Sequence, residues 1–291
     1  MNTPPAPIQT QFYTGADGLK LCADVGGDPA QPTVILLHGG GQTRHSWTGA
    51  MRELLAQGYH VINLDARGHG DSQWSPTGDY GLEALSADLL AVMATLPTRP
   101  ALVGASMGGG TLLYAAGNHT EPIAQALILV DIVPRVETEG VGKIIAFMRS
   151  HVDGFATLDE AAAAVAAYNP NRARPGATTG LMKNLRLRED GRLHWHWDPK
   201  FVARKVHVEP PQFADLLLAA ASRVRTPTLL VRGLKSDLIG EDGIAELKAH
   251  LPALEVADIA GAGHMVVGDR NDAFNQAVLQ FLHQHLPRPQ A

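Results

Sequence analysis

Cysteine is almost absent: Cys22, in the stretch LKLCADV, is the single one among 291 residues. One thiol rules out an intrachain disulfide framework and a thiolate metal cage, leaving a buried structural thiol as the expectation. Excess positive charge is missing as well. The formal net charge of −5 gives no electrostatic footprint for nucleic acid or for an anionic membrane. No apolar run approaches the roughly 20 residues that a membrane-spanning helix needs. The opening MNTPPAPIQT has neither the basic nor the apolar region of a secretory signal. Together these absences predict a soluble, cytoplasmic protein; nothing in them fixes an oligomeric state.

What the chain does have is apolar material, 45% of its residues, in short runs rich in Val, Ile and Leu. TVILLHG (33–39), HVINLD (60–65), ALVGAS (101–106), ALILVD (126–131) and TPTLLVRG (226–233) each end near Gly or Asp, and LEVADIAG (254–261) is a weaker sixth. Runs that are apolar throughout, rather than alternating, suit strands covered on both faces by helices. Helical periodicity lies between them: Leu82, Leu85, Leu89, Leu90, Met93 and Leu96 follow i, i+3, i+4, i+7 spacing. DAFNQAVLQFLHQHL (272–286) is a further helix. The alternation predicts an α/β fold with a doubly wound, mostly parallel sheet and an antiparallel lead-in over residues 11–25. It breaks between 137 and 222, a mainly helical insertion that reads as a lid over a core formed by 1–136 and 223–291.

In a sheet of this kind ligands bind at the carboxyl ends of the strands, where His38, Asp65, Ser106, Asp131 and Asp237 fall. Ser106 lies in G-A-S-M-G (104–108), between a predicted strand and a predicted helix. A serine hydroxyl becomes a nucleophile when it is aimed and when a base removes its proton. Glycine two positions to either side permits a sharp strand-to-helix turn on which the serine is held outward. His264, in the loop GAGHMVV before the last helix, is the candidate base. Asp237, in VRGLKSDLIG, is the candidate acid that orients it, and Asp131 competes for that role. Asp242 is expected in the first turn of a helix.

Charge that develops on a carbonyl oxygen needs two aimed N–H donors. Met107, directly after the nucleophile, is one; Gly40, in the glycine loop 39–41, is the preferred second, with Gly41 as the alternative.

The set H-G-G-G (38–41), D-A-R-G-H-G-D-S (65–72), G-A-S-M-G (104–108), Asp237 and G-H (263–264) resembles the α/β-hydrolase superfamily. The nearest match is its lid-bearing serine esterase, lactonase and C–C hydrolase branch. The resemblance spans the sheet and is weak in the lid. It implies a Ser-His-Asp hydrolase without a cofactor or metal, acting on a small ester-like substrate. It also implies that Asp65, Arg67, His69 and Asp71 are scaffold. The alternatives it leaves are a C–C bond hydrolase or thioesterase with the same triad, perhydrolysis on the same fold, and a ligand receptor that retains the triad. Serine at 106 argues against the branches that attack with an aspartate. Gly40 stands where relatives carry an aromatic residue after His-Gly, which predicts a roomier acyl side.

Gly41, Arg44, Trp195 and Trp197 are candidate pocket residues. In LHWHWDP (193–199) extended alternation would put His194 and His196 on one face and the two tryptophans on the other. No third metal ligand lies nearby, and no Lys-Ser/Thr follows the glycines after Ser106 as a phosphate loop requires.

Overall fold

The computed structural model describes residues 7–168, 178–203, 210–263 and 271–286. Its centre is an eight-stranded sheet. The strands are β1 (Gln9–Thr14), β2 (Lys20–Gly26), β3 (Thr33–Leu37), β4 (His60–Leu64), β5 (Ala101–Ala105), β6 (Ala126–Val130), β9 (Thr228–Gly233) and β10 (Glu255–Ile259). Their spatial order is β1-β2-β4-β3-β5-β6-β9-β10. β1 and β2 pair antiparallel, as β2 does with β4, and every later pairing is parallel. The lead-in, the parallel body and the weak sixth run all match the sequence expectation.

Burial of both faces explains the uninterrupted apolar runs. Along β3, Ile35 and Leu37 pack into one core, while Val34 and Leu36 pack into the other. The same alternation sends Leu127 and Leu129 of β6 one way and Ala126, Ile128 and Val130 the other. The first core is closed by α2 (Leu82–Met93), α3 (Met107–Gly117), α7 (Pro210–Ala221) and α8 (Glu241–His250). The second is closed by α1 (Thr48–Ala56) and α9 (Asn271–His285), with Trp47 against Phe274. Asp242 falls in the first turn of α8. Among the described residues no helix is long and apolar enough to cross a membrane.

The insertion, labelled the cap below, has a small core of its own. It comprises α4 (Thr138–Arg149), α5 (Leu158–Tyr168), a 3-10 turn at Thr178–Asn184, the hairpin β7 (Leu185–Leu187) and β8 (Leu193–Trp195), and α6 (Pro199–Ala203). Met148, Phe155, Ala161, Leu185, Trp195 and Trp197 are the buried apolar residues of that core. The helix α7 belongs elsewhere: Leu217 and Ala221 lie in the main core beside Leu112 and Leu113 of α3. The packing therefore returns to the core layer one helix earlier than the expected boundary at 222, because an apolar helical stripe in sequence does not say which core it faces.

The order of strands reverses between β3 and β5, which places a crevice at their carboxyl ends. There β5 runs into α3 without a linker, and the approach is close. A Cβ on Gly104 would lie 2.5 Å from the carbonyl group of Gly108, and one on Gly108 would lie 2.5 Å from the Leu37 carbonyl oxygen. Both obstacles are backbone and cannot swing aside. We expect Gly104→Ala to destabilise the fold by at least about 2 kcal/mol. Gly142→Ala, in α4 with open space around it, should instead stabilise by about 0.5–1 kcal/mol. Urea unfolding of both variants checks the contrast.

Candidate active site

Ser106 joins β5 to α3 with φ 47° and ψ −113°, a region that L-residues rarely occupy and that costs on the order of 1–3 kcal/mol. Its N–H donates to the Val130 carbonyl (3.0 Å) and its carbonyl accepts from Gly110 N–H (2.9 Å), so the turn is anchored on β6 and in the helix. The side chain is partly exposed, and it stands at the N-terminus of α3, where backbone N–H groups favour negative charge.

Two carboxylates were candidates for the acid. Asp131 directly follows β6, is 1% exposed, and adopts φ 49°. Its Oδ1 accepts from Gly233 N–H (3.0 Å) and its Oδ2 from Ser236 Oγ (2.5 Å). Asp237 is 57% exposed, lies under α4, and has its Oδ2 3.9 Å from Lys143 Nζ. His264 lies outside the described residues. The residue before it, Gly263, is described: a Cβ on Gly233 would collide with the carbonyls of Ala262 and Gly263. Ala262 also accepts from Lys235 N–H at 2.8 Å. The loop that leads to His264 thus leans on the same glycine whose N–H holds Asp131.

The glycine loop after β3 is ordered by three buried histidines. His38 Nε2 accepts from Ala66 N–H (3.0 Å), so its proton is on Nδ1, which donates to Gly39 O (2.8 Å). His69 Nε2 accepts from Gly41 N–H (3.1 Å), and its Nδ1–H donates to Arg67 O (3.1 Å). His196, from the cap, accepts from Gly70 N–H at Nδ1 (2.7 Å) and donates from Nε2 to Gly41 O (3.4 Å). The rings follow one another in a row, tilted by 54° and 51°, with centroids 5.2 Å apart between His38 and His69 and 5.8 Å between His69 and His196. Gly41 N–H is therefore already committed and Gly39 N–H donates to Gln42 Oε1 (3.3 Å). Neither Gly40 nor Met107 N–H has a protein acceptor among the described residues. Of the two glycines considered as donors, Gly40 is the one left available.

Gly40 does not face open space. A Cβ there would lie 3.3 Å from the Phe201 ring and 3.9 Å from Met107 Sδ. The roomier acyl side expected from Gly40 is thus filled from the cap: Phe201 packs edge-on to His69 (4.7 Å) and to Tyr80 (5.9 Å). No sequence signal marked Phe201, since α6 comes more than 150 positions after the glycine loop.

The remaining candidates sort by contact. Arg44 is 5% exposed, and its guanidinium lies against Asp65, Asp71 (2.9 Å) and Asp24 (3.0 Å), which spends its charge inside the scaffold. Arg67 is fully buried and clamps Asp88 through Nε (2.6 Å) and Nη2 (2.7 Å). Gly41, at φ 71°, has Met148 of the cap against it. Trp195 and Trp197 stack at 4.9 Å in the cap core. His194 pairs with Asp190 (2.7 Å) while His196 faces the glycine loop, so the two imidazoles part company. Among the described residues one trio, Cys22, Asp65 and Asp71, brings donor atoms within 4.8 Å, and Arg44 is paired with both carboxylates. Burial pushes the Cys22 thiol up to about 11, in keeping with a structural thiol.

A family model described as alpha/beta hydrolase fold matches residues 32–270. The chain is 28% identical to the sn-1-specific diacylglycerol lipase ABHD11 of Mus musculus, over 88% of this chain and 82% of that protein. The esterase Rv0045c of Mycobacterium tuberculosis is 28% identical over 85% of this chain and 81% of its own. A solved structure of that esterase superposes with a TM-score of 0.77, covering 97% of this chain and 93% of the other. An E-2-(acetamidomethylene)succinate hydrolase shares the fold with a TM-score of 0.83 at 22% identity, covering 95% of this chain and 99% of its own.

Burial drives His38 down to about 4, with the Arg44 charge acting in the same direction, and His69 to about 3, although Asp65 and Asp198 pull the other way. Unfolded histidine titrates near 6.5, so below that pH the unfolded chain binds protons the folded sites refuse. Their contribution to stability is complete above about 6.5 and falls as pH drops towards 4 and then 3. Replacing His69 by Gln should reduce the slope of unfolding free energy between pH 6 and 4.5 by about 1.4 kcal/mol per pH unit, read from urea titrations of the two proteins.

Proposed function

The chain belongs to the alpha/beta hydrolase family and is a hydrolase acting on ester bonds, and from that premise we propose that it cleaves carboxylic esters or lactones of small substrates through an acyl-enzyme on Ser106. The observation that carries this reading is Ser106 itself, strained outward at the N-terminus of α3 beside two uncommitted N–H groups.

In this reading Ser106 Oγ attacks the carbonyl carbon while His264 accepts the serine proton. The carbonyl oxygen, now negative, receives the Gly40 and Met107 N–H groups and the favourable end of the α3 dipole. His264 returns the proton to the leaving alcohol, and a water deprotonated by His264 releases the acid from the serine.

For the carboxylate that orients His264 we favour Asp131 over the Asp237 expected from sequence. Asp131 is buried and doubly hydrogen-bonded at the end of the strand beside Ser106, and Gly263 abuts its support. An orienting carboxylate works best when it is immobile and shielded from water. Asp237, exposed and near Lys143, offers neither property.

Ser106→Ala should abolish turnover of short p-nitrophenyl esters and the acyl-enzyme burst. Asp131→Asn should lower kcat by on the order of 10³–10⁴, with Asp237→Asn within a few-fold of the parent. The opposite order for the two asparagine variants returns the role to Asp237.

Phe201, as the wall beside Gly40, sets the space next to the reacting carbonyl. Phe201→Ala should raise the ratio of kcat/KM for octanoyl over acetyl esters by on the order of tenfold. An unchanged ratio removes Phe201 from the pocket.

A further inference from the structure

The glycine loop is held one peptide at a time. A trans peptide is planar, with its C=O and N–H pointing in opposite directions, so fixing one end aims the other. The peptide joining Gly39 to Gly40 has its carbonyl on His38 Nδ1–H (2.8 Å), which turns the Gly40 N–H away from His38. The next peptide has the Gly41 N–H on His69 Nε2 (3.1 Å). The one after that has the Gly41 carbonyl facing His196 Nε2–H (3.4 Å), and its Gln42 N–H donates back to Gly39 O (3.1 Å). Three imidazoles thus pin three successive peptides. His38 and His69 come from the core; His196 comes from the cap.

His196 is itself buried and bonded through both ring nitrogens. It is 1% exposed, and Gly70 N–H (2.7 Å) fixes its tautomer. Its neighbours tie the same cap segment to the core: Asp198 N–H donates to Gly68 O (2.9 Å), and Tyr80 hydroxyl donates to Asp198 Oδ2 (2.5 Å). Arg186 Nη2 reaches Asp71 Oδ1 (2.7 Å) from the adjacent strand.

We infer that His196 is a positioning residue for the oxyanion hole, through which the seating of the cap sets the direction of the Gly40 N–H. The inference rests on the hydrolase reading above. On this view the cap segment from 194 to 201 is a structural part of the hole, and the hole is complete only while that segment is docked.

The test separates the two bonds of the ring. Glutamine at 196 places an amide N–H near the former Nε2 and keeps the bond to Gly41; asparagine places its oxygen near the former Nδ1 and keeps the bond to Gly70. Kinetics on p-nitrophenyl acetate, inhibition by a boronic acid that mimics the tetrahedral intermediate, and hydrogen exchange of the segment 39–43 are measured for His196→Ala, His196→Asn and His196→Gln. Expected for His196→Asn and His196→Ala is a fall in kcat of about 10- to 100-fold, since deleting an oxyanion donor outright costs about 10²–10³. KM should stay within about threefold, boronate affinity should fall with kcat, and exchange in 39–43 should rise. His196→Gln should keep all three close to the parent. If alanine does not fold, the asparagine and glutamine variants carry the comparison.

Unchanged exchange in folded His196→Asn overturns the inference whatever the kinetics. Raised exchange with unchanged kcat overturns it as well, as does a glutamine variant that falls as far as asparagine. Wild-type protein that turns over no ester, and matches Ser106→Ala, sinks the hydrolase reading and the inference with it, and is recognised by the absence of a parent rate.

Discussion

Everything at the crevice depends on how closely β5 and α3 approach. The strand enters the helix through a single residue, Ser106, whose positive φ is tolerated because the surrounding backbone leaves it no alternative. Gly104 stacks on the Gly108 carbonyl group and Gly108 on that of Leu37, so three backbone segments touch with no side chain between them. That contact binds the Ser106 turn to β3, the strand that delivers the glycine loop. Strain at one residue is held by burial of the sheet on both faces, which keeps the loop after β3 and the helix after β5 in one frame.

Ionisable groups around this frame are used as rigid polar struts rather than as charges. His38 and His69 are kept neutral by burial, each with one nitrogen accepting and the other donating to backbone. Arg44 and Arg67 remain charged inside the fold because carboxylates surround them: Asp65, Asp71 and Asp24 for the first, Asp88 and Asp17 for the second. An unpaired buried charge would cost several kcal/mol; here each guanidinium is matched. The stretch from Asp65 to Ser72 therefore acts as a junction that ties β4, the glycine loop and the cap segment together.

The insertion supplies side chains to the glycine loop. Phe201 occupies the space beside Gly40, Met148 lies on Gly41, and His196 meets the Gly41 carbonyl. Three small residues in the loop leave room for these cap side chains to approach backbone directly. The absence of side chains at 39–41 is thus answered by side chains arriving from far along the sequence.

Strand runs, helix periodicity, the antiparallel lead-in and the turn at Ser106 were legible in the sequence because each is a local matter: residues a few positions apart decide which faces are apolar and where the backbone needs glycine. Which of the two candidate carboxylates is shielded was not legible. Asp131 and Asp237 each follow a core strand, and nothing within ten residues of either says that one is buried under Gly233 and Ser236 while the other lies exposed beneath α4. Likewise His69 and His196 look like any polar histidine until the fold brings residues 28 and 155 positions from Gly41 onto its peptide. The sequence by itself determined the layers, the sharp turn at residue 106 and the serine proposed as nucleophile. Tertiary structure alone decided which carboxylate is shielded, which N–H is left uncommitted and what packs beside Gly40, because burial and hydrogen-bond partnership are set by groups that meet only when the sheet, the helices and the cap close on one another.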